Sequence, residues 1–324
     1  MRNVLKLVGL VVSLSFIMLS PTISKALSVF PKSPEDAERK LASSLLKGTQ
    51  NVLIVLVKTP NKPLIDQHLP YPEDWRKSEY EKSIATGLDS YYREVSYGKF
   101  GLSVKVIDWV DVPDDISDKH KRANKALDLV FSNTNIKPGD YDKDGNKEFD
   151  FILIFDTKAP RGDSEATSMK LEGVKPAETE ISGTGKKLDW YVYMRPSREL
   201  ALVAHEFGHL LGLLDMYSSV FVKGTIGDIG RWGLMSGAEI HGTPYSHLCA
   251  YSKVKLGWAT PIELDQSGNR IIKAAEIKDY GSIYRISTSK PNEYFLLEYR
   301  QRSGYDQDLP GEGILIWHID LNVG

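Results

Sequence analysis

The sequence predicts an α+β protein: a mixed, twisted sheet packed around one buried helix, followed by a strand-rich C-terminal lobe. Two observations carry that prediction. Apolar runs of strand length alternate with helical periodicities as far as residue 211, and strand-like runs dominate the last third of the chain. Within the first part, residues 200–211 are apolar nearly all round except for two histidines and a glutamate. That pattern marks a helix enclosed on every side.

The elements follow in order. Val52 to Val57 is a continuous apolar run, the pattern of a strand covered on both faces. Ile84, Leu88, Tyr91, Tyr92 and Val95 recur at helical spacing. Tyr97-Gly98-Lys99-Phe100-Gly101 then turns the chain into a strand in which Leu102, Val104 and Val106 alternate. Ala123, Leu127, Val130 and Phe131 predict a second helix, and Phe151 to Phe155 another buried strand. Residues 158–188 have no clear period and read as a surface loop. Trp190, Val192 and Met194 alternate as a strand that leads into the buried helix. Past Asp215 the pattern is loop-rich, with a helix expected near 247–256 and strands around 270–273, 282–287, 294–300 and 314–319.

The N-terminus reads as an export signal. Arg2 and Lys6 precede the apolar run Leu7 to Leu19, and Ser24-Lys25-Ala26 offers small residues for cleavage. The run is too short and wrongly flanked for a membrane span. A secreted protein is therefore expected, with residues 1–26 removed, 27–48 a linker or short pro-segment, and 49–324 one folded domain. The chain carries 41 basic and 43 acidic side chains, and loss of Arg2, Lys6 and Lys25 makes it more acidic. No basic stripe suggests nucleic acid, and no stable membrane association is expected after signal cleavage. Cys249 is the one cysteine, which excludes an internal disulfide. Its apolar surroundings predict a buried thiol.

Three motifs carry chemistry. His205-Glu206-Phe207-Gly208-His209, continued by Leu210-Leu211-Gly212-Leu213-Leu214-Asp215, reads H-E-x-x-H-x-x-G-x-x-D. Residues four apart on a helix lie about 40° apart around its axis and roughly 6 Å along it. His205 and His209 can thus aim two imidazoles at one metal ion, with Glu206 beside them to address a water. Gly212 accepts the left-handed conformation that ends helices, so the chain can turn back and offer Asp215 as a third ligand. Glu239 and His241 are the alternative third ligands. Gly233-Leu234-Met235-Ser236-Gly237 stands where a methionine turn underlies the metal in related sites. Asp140-Tyr141-Asp142-Lys143-Asp144-Gly145-Asn146 opens like an EF-hand-type calcium loop. Phe151 stands at its twelfth position, so Glu148 or Asp150 would have to close the site. Candidate oxyanion donors are Tyr217, His241, Tyr245 and His247.

Together these segments resemble the immune inhibitor A-like family of secreted bacterial zinc metallopeptidases. The resemblance extends to Tyr91-Tyr92-Arg93-Glu94-Val95-Ser96-Tyr97-Gly98, to Ala250 through Trp258, to Glu298-Tyr299-Arg300 and to Gly313 through Asp320. It implies a zincin-like fold over 49–324, zinc on His205, His209 and Asp215, and Glu206 as general base. Calcium as a stabiliser is implied too, and the acidic loop offers Asp140, Asp142, Asp144, Asn146 and Asp150 as its ligands. The implied substrates are proteins or peptides. Family members often continue past a segment like Trp317-His318-Ile319-Asp320, so a chain ending at Gly324 is expected to be a fragment. Many also carry a longer pro-region than residues 27–48.

Overall fold

The computed structural model describes residues 11–13, 39–61, 76–159, 167–170, 180–197, 199–216, 229–236, 246–264, 269–274 and 283–322. Its centre is a five-stranded sheet. β1 (Gly48–Lys58), β2 (Phe100–Asp111), β3 (Ile152–Asp156), β4 (Thr167–Lys170) and β5 (Trp190–Met194) lie in the order β2-β1-β3-β5-β4. β1 runs parallel to β2 and to β3, and β3 parallel to β5, whereas β4 at the edge is antiparallel to β5. The continuous apolar runs follow from burial on both faces. Val52, Ile54 and Leu56 point into one core, and Leu53, Val55 and Val57 into the other. Phe151, Leu153 and Phe155 against Ile152 and Ile154 repeat the alternation.

Helices fill both sides. Lys77–Tyr80 and the π-helical turn Glu81–Ala85 lead without a break into α1 (Thr86–Val95). α1 packs with α3 (Leu200–Leu210) on one face, and α2 (Lys119–Asn133) covers the other. Asp118 caps α2 by accepting from the Lys121 amide at 2.8 Å. Inside the second layer, Arg122 pairs with Asp156, to which the Tyr193 hydroxyl also donates at 2.8 Å. α4 (Ala250–Lys255) then precedes β6 (Ile262–Glu263), β7 (Ile283–Ser287), β8 (Glu293–Arg300) and β9 (Gly313–Asp320). These four strands form a second sheet in the order β9-β8-β7-β6.

Mixed helix and strand content places the chain in the α+β class. The expected loop at 158–188 differs in part, because Thr167–Lys170 is an edge strand and Glu180–Ile181 pairs with Lys186–Lys187. Their mostly polar residues give no periodic signal, and pairing partners define them. Residues 39–48, expected as the end of a linker or short pro-segment, reach the core through Arg39 and Leu45, which are buried, and Ser43–Leu46 is a 3-10 turn. Of the expected signal, only Val11–Ser13 is described, paired antiparallel with Asn269–Ile271. No described helix is long and apolar enough to cross a membrane. Cys249 is buried as expected, and burial pushes its thiol pKa up.

Candidate metal centre

α3 enters the core as its composition requires. Val203, Ala204, Phe207 and Leu210 join the first core, and His205 and Glu206 are carried inside with them. Two residues end the helix. Leu211 is the C-cap, and Gly212 takes φ +85°, where its amide donates to the His209 carbonyl at 2.9 Å. A side chain there fails twice. The backbone conformation disfavours it, and a Cβ would stand 2.4 Å from the Arg39 carbonyl oxygen. The turn sends the chain back along α3 and delivers Asp215.

The ligand atoms of His205, Glu206 and His209 all lie within 4.8 Å of one another. Asp215 Oδ1 sits between the histidines, 3.1 Å from His205 Nε2 and 3.3 Å from His209 Nε2. The opposite ring nitrogens face main-chain carbonyls. His205 Nδ1 is 2.9 Å from the Leu234 oxygen, and His209 Nδ1 is 2.9 Å from the Leu213 oxygen. A carbonyl only accepts, so each Nδ1 carries the proton and each Nε2 presents a lone pair. Two lone pairs and a carboxylate oxygen therefore converge, an arrangement that calls for a cation among them. The ionisation behaviour agrees. Burial pushes the His209 pKa down, but Asp215 and the charge of Glu206 outweigh it and raise it to about 9, so without a metal a proton on Nε2 takes the place of the cation. Burial likewise disfavours the Asp215 carboxylate, yet the two histidines hold its pKa well below the usual range. This donor set fits a divalent metal that prefers nitrogen and oxygen ligands.

The methionine segment lies directly beneath. A Cβ on Gly208 would meet Met235 Sδ at 2.6 Å, so the glycine in H-E-F-G-H lets the buried methionine touch the helix. The Met216 amide donates to the Met235 carbonyl at 2.7 Å, joining the chain after Asp215 to that segment. Tyr92 Oη donates to the Ala204 carbonyl at 2.7 Å from α1. The second sheet braces the same segment. Arg300 pairs with Asp306 and donates to the Trp232 carbonyl at 3.1 Å, and Asp306 also accepts from the His247 amide at 2.9 Å. The expectation for His247 as an oxyanion donor needs correction. Its ring is buried, with Nε2 2.9 Å from Glu94 and Nδ1 3.2 Å from Lys253 Nζ. Burial and the charges of Lys253 and Arg300 push its pKa far down, so a neutral ring is held from both sides. Tyr217, Glu239, His241 and Tyr245 lie outside the described residues.

The acidic loop is built differently. Pro138–Tyr141 is a 3-10 turn, and Gly145 takes φ +76°. Four of its side chains already have one oxygen engaged. Asp144 Oδ1 accepts from the Asn146 amide at 3.2 Å, Asn146 Oδ1 from the Glu148 amide at 2.7 Å, and Asp150 Oδ2 from the Lys143 amide at 2.6 Å. Asp140 contributes its carbonyl, which accepts from Asn51 at 2.8 Å. Asp142 Oδ2 is ion-paired with Lys186, while its buried Oδ1 has no hydrogen-bond partner among the described residues. Burial, against a hydrogen bond from the Lys143 amide, raises the Asp150 pKa to about 6, and the charges of Asp144 and Asp142 add to the rise.

Residues 159–259 match the family model described as the immune inhibitor A peptidase M6 catalytic domain. That stretch supports the immune inhibitor A-like metallopeptidase family. The match spans β4, β5, α3, the methionine segment and α4, so it contains every residue of the converging site. The acidic loop and the second sheet lie outside it. No curated protein matches the chain. The match supports a metallopeptidase, a hydrolase acting on proteins or peptides. Sequence reasoning had missed the residues that aim the ligands: the Leu234 and Leu213 carbonyls, Tyr92 and Arg39. Main-chain groups leave no mark in a sequence, and an isolated tyrosine or arginine looks like any other.

Proposed function

We propose that the protein is a secreted zinc endopeptidase of zincin-like fold, with zinc held by His205, His209 and Asp215 and with Glu206 as general base. One observation carries this reading: the convergence of His205 Nε2, His209 Nε2 and Asp215 Oδ1, each able to accept, where a buried helix meets a half-buried turn. Bound there, zinc supplies a Lewis acid and lowers the pKa of water to about 7. Glu206 takes the proton of the attacking water and returns it to the leaving amine. The Leu234 and Leu213 carbonyls keep the imidazoles in the tautomer that leaves Nε2 unprotonated. α3 packs against β4 and β5, and β4 has no described strand on its outer edge. An extended substrate added to that edge would be held by main-chain hydrogen bonds beside Glu206.

In the same reading, calcium occupies the acidic loop as a structural ion. Asp142 Oδ1, without a partner among the described residues, and the largely buried Asp150 carboxylate beside Asp144 and Asp142 support this. The export signal supports secretion. Digestion of casein tests the catalytic proposal, with cleavage products mapped along the chain. Internal cleavage, stopped by a zinc chelator and restored by zinc, is the expected result. Cleavage that survives zinc removal, or trimming confined to chain ends, contradicts it.

A further inference from the structure

Arg39 lies far outside the family match, yet it touches the metal-binding helix. Its side chain is buried, and Nη1 donates to two carbonyls: Leu210 at 3.0 Å and Asp150 at 2.8 Å. Leu210 is the last residue of α3, whose final carbonyls have no partner within the helix. A cation at that end also opposes the negative pole of the helix. Asp150 is the last carboxylate of the acidic loop and precedes β3. The guanidinium stacks on Phe151, 5.6 Å from the ring centroid. The Arg39 main chain presses on the turn as well, since its carbonyl oxygen fills the space where a Gly212 Cβ would stand. One residue thus contacts the end of the helix, the turn that returns Asp215 and the exit of the acidic loop.

We propose that Arg39 is a positioning residue that fastens the C-terminal end of α3 to the acidic loop, so that zinc and calcium binding are coupled. The inference rests on reading His205, His209 and Asp215 as the zinc ligands. Without the two bonds, the last turn of α3 would fray. His209 and the Gly212 turn, which together set the distance from Nε2 to Asp215 Oδ1, would lose their support. The coupling has a source at the other end too. Asp142 pairs with Lys186 through Oδ2, but its buried Oδ1 has no hydrogen-bond partner among the described residues and favours a cation there, and a cation that orders the loop also fixes the Asp150 carbonyl to which Arg39 is bound. A further consequence is that residues from Arg39 onward belong to the catalytic unit, so N-terminal processing must stop before Arg39.

The test is zinc affinity, measured by competition with a chromogenic chelator on the full chain, with and without added calcium. Arg39→Met keeps the packing over Phe151 and removes both donors. It should bind zinc about 10–100-fold more weakly, the usual loss when a group that orients a metal ligand is removed. Calcium should slow zinc release in the parent and have no such effect in Arg39→Met. Val57→Ala, a cavity in the opposite core, should lower the melting temperature while leaving zinc affinity unchanged. If Arg39→Met does not fold, Arg39→Lys decides: its shorter side chain cannot keep both bonds, so a several-fold loss is expected. Parental zinc affinity in a folded Arg39 variant, a loss equal to that of Val57→Ala, or a parent indifferent to calcium overturns the proposal. His205→Ala separates the two readings: if it binds zinc like the parent, the assignment of the zinc site fails rather than the role of Arg39.

Discussion

The two candidate cation sites satisfy their polar atoms in opposite ways. At the end of α3, three acceptors face one another, and the groups behind them are main-chain carbonyls that fix the rings and cannot neutralise the charge. In the acidic loop, main-chain amides and Lys186 already engage Asp142, Asp144, Asn146 and Asp150. The first is a preorganised site that only a cation completes. The second is a loop that folds partly on its own hydrogen bonds and that calcium would tighten. The comparison teaches that a motif is read best from what its acceptors lack, since carboxylates close in sequence are often satisfied by their own backbone.

The comparison predicts a large effect on chemistry at the first site. Glu206→Gln should keep near-stoichiometric zinc while proteolysis falls by about two or more orders of magnitude, the scale of general-base catalysis. Activity assay beside metal analysis checks it, and substantial activity in the zinc-replete variant would remove Glu206 from its role. Asp215→Ala should lose zinc on mild dialysis, while Glu239→Ala and His241→Ala retain it. The reverse pattern would reassign the third ligand.

Effects at the second site should be smaller and fall on stability and, through Arg39, on zinc retention. Calcium at a hundred times its dissociation constant would add about 2.7 kcal/mol to the folded state, visible as a raised melting temperature with zinc kept bound. Asp142→Ala combined with Asp144→Ala should abolish that response; an unchanged calcium dependence would leave the loop a solvated turn. The response should also depend on pH. Asp150 has its folded pKa raised to about 6, above the ordinary carboxylate value. A raised acid contributes stability that is present below its unfolded pKa and lost as pH rises through the folded one. Calcium needs the ionised carboxylate, so its stabilising effect should grow between pH 5 and 7. Thermal melts across that range check it, and a calcium effect that is flat with pH would exclude Asp150 from the site.

Much of this was legible in the sequence because the physics is local. Val52 to Val57 and Phe151 to Phe155 had to be strands covered on both faces, and they lie beside each other in the sheet. Gly212 had to be left-handed for the chain to return, and it is. The closeness of His205, Glu206 and His209 follows from helical spacing alone. What stayed hidden depends on contacts between distant segments. β4 is polar and exists as a strand through its pairing with β5. Arg39 bonds residues 111 and 171 positions away. Lys186 finds Asp142 across the fold, and His247, a candidate oxyanion donor by sequence, lies in a buried network between α1 and α4.

The central claim, that two imidazoles and one carboxylate hold zinc, is tested most directly by zinc K-edge X-ray absorption on the zinc-loaded protein. Two imidazole nitrogens at about 2.0–2.1 Å with oxygen in the remaining positions are expected, and no sulfur. In Asp215→Ala reloaded with excess zinc, the imidazole count should stay at two while the oxygen shell changes. Three imidazoles in the parent, or a parental spectrum unaltered by Asp215→Ala, would contradict the account.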